Sequence, residues 1–223
     1  MARRIAIPTG LQPEDAEASL ALTHDALPFP QSEINRLKRR RYILDMLPKN
    51  SVGAEIGVFR GHFSALICEH VRPRRLFLID PWTQLGETFG WGKGPYVNGG
   101  ELTTELAQQE TILRCTLYPD IECHVIEGFY PDCANMIDEP LDWAYLDASH
   151  TYEDTYREVQ ALSQQVKPGG FILGDDWRPD PNSSQHGVYR AVQKFTSETE
   201  WEIVMCGPAG QWLIRRSPNY GDI

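Results

Sequence analysis

Residues 141–177 read LDWAYLDASHTYEDTYREVQALSQQVKPGGFILGDDW. Leu141–Asp147 is a mostly apolar run that ends in an acid, and Gly170–Gly174 is a second apolar run followed by Asp175 and Asp176. Between them, Tyr152, Tyr156, Val159, Leu162 and Val166 recur at helical steps, and Thr151-x-x-Asp154 resembles a capping box, so Thr151–Val166 reads as a helix. Lys167-Pro168-Gly169-Gly170 ends it. A strand, a helix and a second strand, with both strands near-continuously apolar, predict a parallel sheet covered on both faces.

The same alternation extends in both directions. Val52–Val58, Arg75–Asp80 and Glu122–Gly128 read as strands, and Gly61–Val71 as a helix stopped by Pro73. Downstream come a helix at Gly187–Ser197 and a hairpin of Glu202–Cys206 with Gln211–Arg216. Upstream, residues 1–31 carry Pro8, Pro13, Pro28 and Pro30 and read as an irregular arm around a short helix at 13–22. A helix at 32–47 follows and ends at Pro48. This divides the chain into an arm and helix over 1–48 and one domain over 49–223, with 83–118 as an insertion. Within that insertion, residues 86–100 hold six glycines with Phe89, Trp91 and Tyr96. A loop of this kind is either a lid over a site or a surface elaboration.

Composition narrows the class. The 223 residues carry 21 basic and 31 acidic side chains, a net charge of −10, which disfavours broad affinity for nucleic acid or anionic membranes. No apolar run approaches the ~20 residues of a membrane span, and no apolar segment follows Arg3 and Arg4 as an export signal requires. The five cysteines include no C-x-x-C and match neither a disulfide framework nor a zinc site, so a cytoplasmic location is expected. Arg36, Lys38, Arg39, Arg40 and Arg41 form a basic cluster on the 32–47 helix. They are expected on a solvated or dimer-facing surface, which leaves room for a homo-oligomer.

Ligands of open α/β sheets bind beyond the carboxyl ends of the strands. The first domain strand runs into Glu55-Ile56-Gly57-Val58-Phe59-Arg60-Gly61, whose two glycines permit a tight turn before a helix N-terminus. The second ends in Asp80, placed to accept hydrogen bonds from ribose hydroxyls. If the strands ending in Asp147 and in Asp175-Asp176 are neighbours, three carboxylates meet at a spacing of ~4.8 Å between strands. Such an oxygen cluster suits Mg²⁺ or a similar hard cation; a helix cap and a solvated turn explain the same residues without one. His150, beside a helix N-terminus, is expected neutral and able to take a proton, with His186 a second candidate. Trp177 and Arg178 either line an acceptor pocket or are ordinary loop residues.

AEIGVFRGHFS (54–64), LID (78–80) and the 141–177 stretch together resemble class I S-adenosylmethionine-dependent methyltransferases. The nearest group is the small bacterial enzymes similar to macrocin O-methyltransferase and other sugar or antibiotic O-methyltransferases. The likeness covers residues 50–216. It implies a Rossmann-like, doubly wound, mostly parallel seven-stranded sheet with a C-terminal antiparallel hairpin strand. It also implies that Glu55, Gly57 and Gly61 line the methionine part of S-adenosyl-L-methionine, that Asp80 holds the ribose and that Gly128 and Phe129 flank the adenine. Asp147, Asp175 and Asp176 would hold Mg²⁺, with Asp147 also facing the cofactor amine. Phe59 departs from the family, where glycine is frequent, and would pack over the cofactor.

The expected activity is therefore methyl transfer to a hydroxyl of a small acceptor, a sugar or natural product, assisted by the metal. Two alternatives stand beside it. One is a metal-independent N- or O-methyltransferase with His150 or Asp147 as base; the other is a cofactor-binding protein without transfer chemistry.

Overall fold

In the computed structural model, which describes residues 1–216, one sheet of eight strands carries the chain in the order β1-β4-β3-β2-β5-β6-β8-β7. The strands are β1 Arg3–Ile5, β2 Val52–Ile56, β3 Arg75–Asp80, β4 Glu122–Glu127, β5 Leu141–Leu146, β6 Val166–Gly174, β7 Trp201–Cys206 and β8 Trp212–Arg216. The helices are α1 Pro13–Ala26, α2 Gln31–Arg40, α3 His62–His70, α4 Thr104–Thr116, α5 Tyr152–Gln165 and α6 His186–Glu198. β4, β3, β2, β5 and β6 run parallel, and β8 returns antiparallel on β6 with β7 beyond it. This is the Rossmann-like sheet, doubly wound with a C-terminal hairpin, that the sequence predicts.

Strand periodicity splits the core in two. Leu76, Leu78, Trp143, Tyr145 and Leu173 point to the face covered by α3 and α4. Phe77, Ile79, Ala144, Leu146 and Ile172 point to the face of α5 and α6. Gly53 leaves room for the Trp143 ring, which would lie 2.0 Å from a Cβ at that position.

Three expectations are revised. The arm is not irregular throughout: Arg3–Ile5 adds an eighth strand, antiparallel to β4, and Arg3 Nε lies 2.6 Å from Glu127 Oε2. Three residues are too few to display a strand period. The 83–118 insertion contains α4, a helix of the main fold whose Thr103 cap accepts from Leu106 N at 3.1 Å and which packs on α1 and α3. The helix at 32–47 is α-helical only to Arg40 and continues as a 3₁₀ turn to Met46. Among the described residues, no helix is long and apolar enough to cross a membrane.

β2 lies between β3 and β5, so the chain reverses direction across the sheet there, and a crevice opens beyond the strand ends.

Candidate active site

That crevice is a cleft of about 850 Å³. Its floor is the turn after β2. Gly57 has φ +87°, and a Cβ there would lie 2.0 Å from the carbonyl oxygen of Asp147. Gly57 N–H donates to Ile79 O at 2.9 Å and Asp147 N–H to Ile56 O at 2.8 Å, tying the turn to both flanking strands. Gly61, at φ +73°, starts α3. Asp80 holds the turn in shape: Oδ2 accepts from Val58 N and Phe59 N at 2.9 Å each, and Oδ1 from Trp82 N at 3.0 Å. Burial pushes its carboxyl up, against the pull of those amides. These bonds use about three of the carboxylate's four acceptor positions, so Asp80 is first a clamp on the turn, with capacity for one further donor.

Phe59 sits at φ +58°, a backbone region that favours glycine. Its ring is held by the glycine-rich segment: it stacks on Tyr96 at 4.4 Å and meets Phe89 at 5.0 Å and Trp91 at 5.2 Å. That segment is therefore joined to the turn through aromatic packing. Arg60, fully buried, secures the other side through Glu110 (3.0 and 2.7 Å), Leu27 O (2.8 Å) and Asn98 Oδ1 (3.3 Å).

Glu55 is buried in β2, accepts a hydrogen bond from Ser64 Oγ, and has its carboxyl pushed up to about 8 by burial. An acid with its folded pKa raised above the ordinary 4.5 binds a proton that the unfolded chain has already released. The contribution of Glu55 is thus most favourable below pH ~4.5 and is lost as pH rises from about 4.5 to about 8. Glu55→Gln abolishes this dependence and is expected to gain on the order of 5 kcal/mol over the wild type across that window, as urea denaturation at its two ends would show.

The acids converge, with a different membership from that expected. Single ligand atoms of Asp147, His150 and Asp176 all lie within 4.8 Å of one another. Asp175 is not among them. Its buried carboxylate pairs with Arg36 and Arg40, and its Oδ1 accepts from Gln211 Nε2 at 2.6 Å. The physical reason is the turn beyond β6: Asp176 sits at φ +63°, so the backbone does not continue as a strand and the two neighbouring carboxylates face different partners. Arg40 Nη1 also lies 3.0 Å from Asp147 Oδ2, and Arg36 Nη2 3.5 Å from Asp176 Oδ1. Arg36 and Arg40, one turn apart on α2, therefore enter the acid cluster, which corrects their expected place on a solvated surface. Burial alone would raise the Asp147 carboxyl, but Arg40, His150 and Arg36 outweigh it and hold it at about 2.

His150 Nε2 lies 2.9 Å from Asp176 Oδ2 and 3.9 Å from Asp147 Oδ1. The neighbouring Asp147 and Asp176 carboxylates raise its imidazole to about 10. The two carboxylates override the helix N-terminus, so the ring is protonated at neutral pH rather than neutral as the sequence suggests. Asp176 Oδ1 is buried with no hydrogen-bond partner. The two carboxylates of Asp147 and Asp176 fit a divalent cation, Asp176 Oδ1 having arginines nearby but no hydrogen bond, and His150 can join them as a ligand only after losing its proton; Asp175 does not belong to that set.

The remaining candidates separate. Gly128 and Phe129 line the cleft, with Phe129 about half exposed. His186 Nδ1 donates to Arg178 O (2.9 Å), and Trp177 packs edge-on against Tyr189; neither lines the cleft. Arg178 reaches Asp176 Oδ1 at 3.6 Å from outside. Sequence reasoning misses Glu158, Ser184 and Gln185 as lining residues. None carries a local motif.

The methyltransferase-domain family model matches residues 54–177, more than half of the chain. The chain belongs to that family and is a class I S-adenosylmethionine-dependent methyltransferase. Cofactor-bound Rv0187 from MTB matches at TM-score 0.59 and 16% identity, over 95% of this chain and 93% of its own. The O-methyltransferase TomG from Streptomyces achromogenes, involved in tomaymycin synthesis and in complex with SAM, matches at TM-score 0.54 and 17% identity over 91% and 90%. An rRNA methylase from Streptococcus thermophilus matches at TM-score 0.54 and 10% identity over 80% and 95%. At these identities the likeness is one of fold, and the fold does not select the acceptor. No curated protein matches the chain by sequence.

Proposed function

We propose that this enzyme transfers the methyl group of S-adenosylmethionine to a hydroxyl of a small acceptor with the help of a divalent cation. The observation that carries the reading is the meeting, in one cleft, of the Gly57 turn with Asp147, His150 and Asp176. Glu55, Gly57, Gly61 and Asp147 surround the methionine part, Phe59 packs over it, Asp80 offers its remaining acceptor position to the ribose, and Gly128 and Phe129 flank the adenine. Asp147 and Asp176, with His150 beside them, hold the cation. A bound cation of this kind lowers the pKa of a hydroxyl that it contacts. Asp175 serves instead to position Arg36 and Arg40.

The acceptor enters beside Glu33, Arg36, Leu37, Trp91 and Tyr96, so residues 1–48 form a wall of the site and 49–216 the catalytic domain. Net charge supports a small molecule over nucleic acid or membrane, and five free cysteines support a cytoplasmic location. A metal-independent reading is favoured by one observation: two guanidinium groups already balance the acids. His150 then acts as base only after giving up the proton that Asp147 and Asp176 hold on it.

The test is methyl transfer to a panel of hydroxylated small molecules, followed by mass spectrometry, with Mg²⁺ or with chelator. Transfer that requires Mg²⁺ and is lost in Asp147→Asn and Asp176→Asn, but survives in His186→Ala, is the expected result. Transfer indifferent to chelator removes the metal and leaves the second reading.

A further inference from the structure

Residues 86–100 are packed loosely. A Cβ at Gly86, Gly90, Gly92, Gly94 or Gly99 would meet nothing within 4 Å, and residues 91–95 are exposed. Trp91 and Tyr96 nevertheless line the cleft, so their place depends on how the two ends of the segment are held. One end is fixed to α4, where Thr104 Oγ1 donates to Gly86 O at 2.6 Å and Thr104 N to Glu87 O at 3.1 Å. The other end is fixed through Asn98. Its Oδ1 accepts from Arg60 Nη1 at 3.3 Å, and its Nδ2 donates to Pro28 O at 2.9 Å. Arg60 Nη2 in turn donates to Leu27 O at 2.8 Å, and its guanidinium lies 5.7 Å from the ring centre of Phe29, another lining residue. One side-chain amide thus spans the arm, the glycine-rich segment and the 57–61 turn.

We infer that Asn98 is a positioning residue: through Arg60 it joins the acceptor side of the cleft, formed by Phe29, Trp91 and Tyr96, to the turn that holds the donor. A donor bound in that turn fixes Phe59 and Gly61, the residues on either side of Arg60. The buried guanidinium is then held in one place, and Asn98 carries the restraint to both walls. An acceptor thereby meets a surface that is already ordered, which lowers the cost of its binding. Linkage requires the reverse as well: an ordered wall strengthens binding of the donor by the same factor. Asn98 sits at φ +50°, a left-handed conformation that asparagine and glycine adopt more readily than other residues, so its side chain can be removed without straining the backbone. This inference rests on the donor and acceptor sides proposed above.

Hydrogen exchange on the whole chain, with and without S-adenosylhomocysteine, tests it. In the wild type the ligand is expected to slow exchange at 57–61 and, by about fivefold, the scale of one hydrogen bond, at 27–29 and 91–98. Asn98→Gly keeps the slowing at 57–61 and loses the ligand-dependent slowing at 27–29 and 91–98. It binds S-adenosylhomocysteine at most about fivefold more weakly. Asn98→Asp, which still offers an oxygen to Arg60, recovers part of the slowing at 91–98. A purely structural anchor behaves differently: its loss speeds exchange equally with and without ligand, and that result overturns the inference. Wild-type slowing retained in Asn98→Gly assigns the coupling to the Phe59–Tyr96 stack and overturns it too. So does slowing confined to 57–61 in the wild type, a comparison that needs no variant, and in each of these cases the donor assignment stands. Wild-type protein that does not bind S-adenosylhomocysteine overturns the donor assignment and this inference together.

Discussion

Replacement of Arg40 by methionine is expected to cost about 3–5 kcal/mol of folding stability, the range for removing one partner of a buried ionic cluster. Arg40 is 4% exposed and pairs with both Asp147 and Asp175, so its loss strands negative charge from two strand ends. Adding Asp175→Asn removes one of these charges and should restore part of the loss. The effect depends on pH in a definite direction. In the wild type the Asp147 carboxyl is depressed to about 2 from an ordinary 3.8, so its contribution of about 2 kcal/mol is present above pH ~4 and lost as pH falls through ~2. Without Arg40 that carboxyl rises instead, and protonation then relieves the variant. The stability gap should therefore narrow as pH falls from about 7 toward about 4. Urea denaturation of the wild type, the single and the double variants across this range measures it. A gap that is constant or widens on acidification contradicts the role given to Arg40.

The second large effect is at Gly57. Alanine there would place Cβ 2.0 Å from Asp147 O, a backbone atom of the neighbouring strand, at a φ of +87°. Backbone strain and overpacking each contribute about 1–3 kcal/mol, so a loss of about 2–6 kcal/mol is expected. Relief requires that the turn and Asp147 move apart, which opens the floor of the cleft, and S-adenosylhomocysteine affinity should fall by at least about 100-fold (about 2.7 kcal/mol). Gly10 is the control, because it has φ +92° with nothing within 4 Å of its Cβ direction. Gly10→Ala carries the backbone penalty without the clash and should bind the ligand normally. Equal binding by Gly57→Ala and the wild type, measured by calorimetry, would remove the turn from the cofactor site.

Legibility in the sequence followed how local the determining interaction is. The parallel strands and α5 were readable because apolar runs and helical spacing act within a few residues, and the turn at 57–61 because glycine permits φ values that other residues resist. Asp147 and Asp176 were readable as strand-end acids, since strand ends in this fold class mark the ligand side. The different partners of Asp175 and Asp176 are not legible because two adjacent aspartates do not say which side each faces; the turn after Gly174, with Asp176 at φ +63°, and the docking of α2 decide that. The sequence alone points Arg36 and Arg40 to the surface because a charge run resembles a solvated face until the helix is docked. Once α2 lies over the strand ends, the attraction of Asp147 and Asp175 outweighs their desolvation.

By itself, then, the order of apolar runs, helices and glycines determined the doubly wound sheet, the position of its ligand cleft and the methyltransferase resemblance. Only tertiary structure decided which charges meet there. Asp175 belongs to the arginines, His150 carries its proton between Asp147 and Asp176, and Phe59 is held by the glycine-rich segment. The physical reason is range: backbone conformation and hydrophobic period are set by near neighbours along the chain, whereas burial and ion pairing depend on groups brought together from 107 and more positions away, as for Arg40 and Asp147.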